Sequence, residues 1–400
     1  MFHRIIIIIS LLTCNFSAQA IQVKQIYEAE VEVKDQETEQ RAEAIQQAFE
    51  KVLIKVTGLH QSEIKNILNN EMNLADQYVQ QFKYRLEEKL PEEEIPNENN
   101  KNKVIAVEID NNKEQTAPLN DNAENSETTE PQLVTHYYLW VKFYEESVTR
   151  LLKKYSLPVW GKIRPLTLIW LAMDEFGKRS ILGESQPSEI ITIADDISKS
   201  RAIPIVFPLL DLTDRSLLFS DVWGNFSDNI LRASTRYEPD TILVGRLNHY
   251  RKDYLGIKWT LYQGGDELSF SHEGATIEKV FMLSFNTLAD KLAERYATNT
   301  TNGVIQQLTL HVSNVSSLSQ YVKLMDYLKQ IDLISNSYPT QFGQNNIKLE
   351  LFIQGEINTL KQSISLSDVL SNTEEDTVTN ITTDNTLPPQ NIPNLYYQLN

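Results

Sequence analysis

The chain has 400 residues, ordinary apolar content, one cysteine and a formal net charge of −17. That length accommodates two or three domains. A single cysteine excludes a disulfide framework or a cysteine-rich metal site, and the lack of a basic run argues against nucleic acid as a partner. The acidity is local: 91–133 hold eleven acids and three bases, 371–400 hold four acids and no base, and together they carry −12 of the −17.

The first twenty residues read as a secretory signal. Arg4 gives a positive start, 5–12 are apolar apart from Ser10, and Ala18-Gln19-Ala20 offers small residues at a cleavage point. The apolar run is far shorter than the roughly 20 residues needed to span hydrocarbon, and no later stretch reads as a transmembrane segment. The expectation is a signal peptide at 1–20 and a mature, thiol-free chain that is periplasmic or secreted. Thr13-Cys14 is an imperfect lipid-attachment motif, so lipidation of Cys14 is the alternative.

Residues 27–33 alternate as a half-buried strand. Over 37–56, Ala44, Ala48, Val52 and Val56 fall at steps of four beside Ile45 and Phe49, which predicts an amphipathic helix stopped by Gly58. Residues 74–86 are expected to form a second helix, with Tyr78, Phe82 and Tyr84 as core candidates. The stretch 91–133 is too polar to offset the entropy of ordering and reads as a flexible acidic insert within a main α/β region spanning 21–300. After it come a strand (136–143), a helix (145–155), an apolar strand (166–173), a helix (188–200), a short strand (203–207), a helix (221–237) and a strand (241–247). Strands at 257–262 and 268–273 flank the turn Gln263-Gly264-Gly265-Asp266, and a helix at 280–296 closes the region. A second unit, 303–370, reads strand, helix, strand, strand, helix, the order of a small ferredoxin-like half-domain, with Pro339 holding its strand at a sheet edge. Residues 371–400 read as a disordered tail. The fold class is α/β (α+β mixed): a layered mixed sheet with helices plus that small unit.

Catalytic signatures are absent from the sequence: there is no His-Glu-x-x-His and no Gly-x-Ser-x-Gly. Gly177-Lys178 lacks the earlier glycine of a phosphate loop and sits in an expected hairpin turn. Asp211, Asp214 and Asp221 follow the strand at 203–207, where α/β sheets tend to bind ligands. They either hold a hard cation for a metal-dependent hydrolase or cap turns and helix starts. Trp160 and Trp223 sit at junctions between elements, either as core plugs or as a recognition surface with Arg164 and Arg246. Arg246 is either paired to a carboxylate or presented at the sheet edge.

The blocks Leu157-Pro158-Val159-Trp160-Gly161, Arg164-Pro165-Leu166 through Ala172, Pro208-Leu209-Leu210-Asp211-Leu212, Ser220-Asp221-Val222-Trp223-Gly224 and Val244-Gly245-Arg246-Leu247 resemble an uncharacterised bacterial envelope family, domain of unknown function 2066. The segments Tyr27-Glu28-Ala29-Glu30-Val31 and Val52 through Gly58 fit the same resemblance, which covers roughly 22–300 and implies no activity. The functional expectation is an exported accessory or binding protein whose partners are envelope proteins or polymers, with no cofactor. The alternative is the Asp-cluster hydrolase.

Overall fold

The computed structural model describes residues 21–89, 134–186, 188–214, 217, 219–298, 305–373 and 392–400. The expected signal with Cys14, the acidic insert and the tail from 374 to 391 lie outside the described residues. Mixed sheets with helices packed on them confirm the α/β class, and the stretch from 21 to 298 holds a three-stranded and a six-stranded sheet with separate cores, joined by a short antiparallel pairing of Ile21–Gln22 with Ile163–Arg164.

The first unit begins with β1 (Ile21–Gln22) and β2 (Glu28–Val33), followed by α1 (Thr38–Thr57) and α2 (Gln61–Met72). It continues through β3 (Val79–Lys89), β4 (Val134–Phe143) and α3 (Glu145–Lys154). The sheet order is β2-β4-β3, antiparallel throughout. Ala29, Val31 and Val33 face inward against Ala48, Phe49, Val52 and Val56 of α1, as strand and helix periods require. Gly58 ends α1 with φ 72°, a left-handed cap that a Cβ would strain. The outer edge of β2 is closed by its own helix: Lys51 Nζ donates to Glu30 O (2.8 Å) and Lys55 Nζ to Glu28 O (2.9 Å). Carbonyls so occupied no longer template another strand.

The helix expected over 74–86 is instead a single 3-10 turn, Ala75–Tyr78, and then β3. Tyr78, Phe82 and Leu86 satisfy a step of four, while Phe82, Tyr84 and Leu86 satisfy a step of two. Pairing with β4 along its length decides for the strand.

The middle unit runs β5 (Ile163–Arg164), β6 (Thr167–Glu175), β7 (Lys178–Ile181), α4 (Glu189–Arg201) and β8 (Ile205–Val206). It continues with α5 (Phe219–Gly224), α6 (Ser227–Ser234), β9 (Thr241–Arg251), β10 (Tyr254–Gln263), β11 (Asp266–Gly274) and α7 (Ile277–Tyr296). The order is β11-β10-β9-β6-β7, with β8 beside β6; β6 is parallel to β8 and β9 and the remaining pairs are antiparallel. The single helix expected over 221–237 is two helices, because Asn225 takes a left-handed φ of 55°. One face of the sheet buries Ile169, Leu171, Leu243, Ile257 and Trp259 under α4 and α7. On the other face, Val222 of α5 and Ile230 of α6 cover Leu168, Trp170, Ile242 and Val244 of β6 and β9.

Gly245 lies directly opposite Trp259 across β9 and β10. A Cβ there would stand 2.2 Å from the indole, and the indole is packed edge-on against the stacked Phe281 and Phe285. Gly245→Ala is therefore expected to destabilise the protein by about 1–3 kcal/mol, the usual cost of overpacking, read as a lower urea midpoint.

At the entrance to β6, Leu166 N donates to Asp240 Oδ2 (2.7 Å). Burial pushes the Asp240 carboxyl up to about 6, with the nearby Asp368 charge adding to the shift. A carboxyl raised in the fold favours the native state most below its unfolded pKa near 4, and that contribution is lost as pH rises through 6. Asp240→Asn should flatten the stability profile between pH 4 and 6 and raise stability at pH 7 by about 1–2 kcal/mol. Urea titrations across that pH range check it.

The third unit comprises β12 (Ile305–Ser313), α8 (Leu318–Leu328), β13 (Ile334–Phe342), β14 (Asn346–Gln354), α9 (Ile357–Ser365), β15 (Leu370–Asn372) and β16 (Asn394–Leu399). Its order is β13-β14-β12-β16-β15. β13 to β14 and β14 to β12 are antiparallel, as the ferredoxin-like pattern expects. Pro339 lies on the edge strand β13. The polar tail does not end as a disordered segment. Its last residues form β16, parallel to β12 and antiparallel to β15, which separates the two strands a split βαββαβ sheet would pair. Leu395, Tyr397 and Leu399 are buried in this unit's core.

Candidate functional site

Trp160 and Arg164 come together where the units meet, and both are fully buried. The Arg164 guanidinium stacks on the Trp160 ring at 3.7 Å. It donates from Nε to Gly161 O (2.6 Å) and from Nη2 to Trp160 O (2.7 Å) and Lys55 O (2.8 Å). Trp160 N donates to Val56 O (2.6 Å), and Arg201 Nη2 donates to Gly58 O (2.8 Å) and to Asp290 Oδ1 (2.8 Å). The carbonyls left open at the C-terminus of α1 are thus filled by the middle unit, two of them by cations, which suits the negative end of a helix dipole. Burial lowers the Arg164 pKa to about 9, with the Asp332 charge opposing the shift. Asp332 of the third unit remains reachable by solvent, yet protein on its other sides pushes its carboxyl up to about 6. This pair of residues joins units beside a narrow crevice lined by Ile163, Tyr296 and Asp332.

The three aspartates do not converge. Asp211 makes a two-pronged ion pair with Arg236 (2.7 and 2.9 Å), and the same guanidinium reaches Asp214 Oδ1 at 3.2 Å. Asp214 Oδ2 accepts from Leu210 N (2.9 Å) and from the Tyr237 hydroxyl (2.5 Å). Arg236 holds the Asp211 carboxyl well below the usual carboxylate range. Asp221 is engaged elsewhere, by Asn229 Nδ2 at 2.9 Å. A cation already occupies the position a metal would need. Among the described residues no group of three His, Cys, Asp or Glu side chains is arranged to hold a metal.

Trp223 and Arg246 form the second pairing. Trp223 stacks on Phe219 (centroids 5.3 Å apart), and its carbonyl accepts from Arg246 Nη1 at 3.3 Å. They stand where α5 and α6 stop covering the sheet. Beyond β9 the same face is polar and bounds a solvent-open cleft of about 220 Å3, lined by Asn225, Arg246, Lys258, Thr260, Glu267 and Ser269. Arg246 and Lys258 are direct cross-strand partners. Neither has a carboxylate within ion-pair distance among the described residues, so Arg246 is not neutralised by a neighbour. Thr260 Oγ1 lies 3.2 Å from Ser269 Oγ on the next strand. The set offers two cations and several hydroxyl and amide groups to a polar guest, and it is the most site-like arrangement on the described surface.

Lys258, Asn225, Thr260 and Ser269 are absent from the sequence reading of the site. A signal for three of them existed: Ile257, Trp259 and Leu261 alternate with Lys258 and Thr260, so the polar set must share one face, and the Gly264-Gly265 turn fixes Thr260 opposite Ser269. Asn225 carried no signal, because its position depends on the break between α5 and α6.

Residues 20–161 match the family model described as Domain of unknown function (DUF8605). That finding corrects the resemblance to domain of unknown function 2066. Four of the five junction blocks that carried the resemblance lie beyond residue 161. Packing accounts for three of them: Leu168 to Ala172 are a buried strand, and Val222, Val244 and Leu247 are core, whereas Leu209 and Leu212 of the fourth are exposed. No curated protein matches the chain. A solved structure titled "Crystal structure of uncharacterized protein" is similar over 33% of this chain and 90% of its own, at 13% identity and a TM-score of 0.17, too low to support a structural argument. The likeness to the DUF8605 family therefore covers the first unit and the start of the junction, which is less than half of the chain.

Proposed function

We propose that the protein is an exported accessory or binding protein of the bacterial envelope that acts through the open face of its middle sheet. The observation that carries this reading is the cleft beside Arg246: its two cations form no ion pair among the described residues, whereas Asp211 and Asp214, two of the three aspartates that would serve a hydrolase, are bound to Arg236. Export is supported by the order of charges, apolar residues and small residues in 1–20. Among the described residues no helix is long and apolar enough to cross a membrane. Partners would be envelope proteins or polymers, held without a cofactor.

Two measurements test the proposal. Fractionation of cells producing the full chain should place it outside the cytoplasm, with a new amino terminus after Ala20. A photocrosslinker at Ser271, on the open face, should capture partners in intact cells that one at Glu294, on α7, does not. Mature protein retaining Met1 in the cytosol would defeat the export reading, and equal capture at both positions would defeat the binding-face reading.

A further inference from the structure

Like charges placed directly opposite on neighbouring strands repel and weaken a sheet. Arg246 and Lys258 are so placed, in a register that continues without a bulge from Leu255 to Gln263. A carboxylate from the chain would ordinarily stand between them, and among the described residues neither side chain forms an ion pair. Glu267 lines the same cleft, yet pairs across the strands with Tyr262 rather than with Lys258. Around the two cations stand the Thr260 and Ser269 hydroxyls and the Asn225 amide, which is hydrogen-bonded to the Tyr262 side chain. The Asn225 backbone, at φ 55°, holds that amide at the cleft wall.

We propose that this cleft binds the phosphate of a hydroxylated phosphomonoester, with Arg246 and Lys258 on the phosphate oxygens and the exposed Ser269 and Glu267 side chains meeting hydroxyl groups of the attached moiety. With Glu267 beside them the two cations leave the cleft a net charge of +1, which favours an anion, and each cation can meet a separate oxygen of a phosphate of charge near −2 at pH 7. The guanidinium fork suits paired phosphate oxygens, and the ammonium supplies a point charge. The cleft, about 220 Å3 in volume, is smaller than a drug-sized ligand site, which limits the guest to a compact phosphomonoester. The proposal rests on the reading of this face as a binding surface and names what it binds.

Calorimetric titration of the full mature chain with glucose 1-phosphate, inorganic phosphate and glucose tests the chemistry. Glucose 1-phosphate should bind, phosphate should bind more weakly, and glucose should not bind detectably. Affinity should fall with added salt. Arg246→Gln and Lys258→Gln should each weaken glucose 1-phosphate by about tenfold or more, the usual loss for a hydrogen bond to a charged group. Lys258→Gln also removes the repulsion, so its ligand-free melting temperature should equal or exceed that of the parent. That result separates lost binding from lost folding. Phosphatidylcholine vesicles with and without phosphatidic acid form the second arm: binding there rather than to the soluble ester assigns the phosphate to a lipid surface. Failure of both arms, or binding that survives both substitutions, overturns the proposal. If crosslinking from Ser271 still captures partners in that case, the binding face stands and the phosphate chemistry alone falls. If phosphate binds and the protein is not exported, the envelope reading alone falls.

Discussion

A chain ending at residue 391 is expected to lose the fold of its third unit while the first two units stay folded. The lost strand is not an edge. β16 lies between β12 and β15, pairs with both, and places Leu395, Tyr397 and Leu399 in the core at 6, 5 and 1% exposure. Truncating one buried leucine to alanine costs about 2–5 kcal/mol, and three large side chains leave at once, together with two ladders of hydrogen bonds. Against the 5–15 kcal/mol that holds a typical domain, that loss is decisive. Limited proteolysis should cut the truncated chain within 305–373, where the parent resists. The point variant Leu395→Ala should lower the unit's stability by about 2–5 kcal/mol. A truncated protein with unchanged protease resistance would show that β16 is dispensable.

That strand also marks the limit of what could be read in advance. The helices of α1, α4 and α7 and the apolar strand β6 were legible because each carries a long, one-sided apolar pattern, and a pattern of that length survives any packing. Asn394 to Leu399 alternates too, with Leu395, Tyr397 and Leu399 in step, but it is six residues long and follows a polar stretch, so composition outweighed period. β3 failed for a different reason. Phe82 and Leu86 remain 44 and 60% exposed, so neither face is strongly buried and no alternation could be trusted. α2 went unseen because it buries only Ile64, Leu68 and Glu71. The short helix is instead fixed by a capping box between His60 and Glu63. The site residues divide along the same line. Arg164 and Arg246 looked alike in sequence, each beside an apolar strand with a tryptophan nearby. What separates them is whether another unit closes over the guanidinium, and that is decided by tertiary packing.

Substituting both arginines turns that difference into a measurement. Arg164→Leu should destabilise the protein by about 3–5 kcal/mol, the scale for breaking a buried charged network. The substitution strips donors from Gly161 O, Trp160 O and Lys55 O, and a buried carbonyl without a partner costs about 1–3 kcal/mol. It also removes the cation stacked on Trp160 and one of the two that face the end of α1. Arg164→Lys should recover little, because an ammonium cannot supply the planar fork that reaches three carbonyls. The coupling between units should suffer with the stability. With Lys55 O released, the first unit keeps its bonds through Trp160 N, Arg201, the pairing of β1 with β5 and the Lys162–Glu145 and His60–Asp290 ion pairs, so the coupling should weaken rather than vanish. Urea unfolding followed by tryptophan fluorescence and by far-UV dichroism should then give midpoints that differ more than in the parent. Arg246→Leu is the contrast: its guanidinium lines an open cleft and makes one long bond to Trp223 O, and its loss should change stability by less than about 1 kcal/mol. If Arg164→Leu also stays within about 1 kcal/mol of the parent, the joint between the units does not depend on this residue.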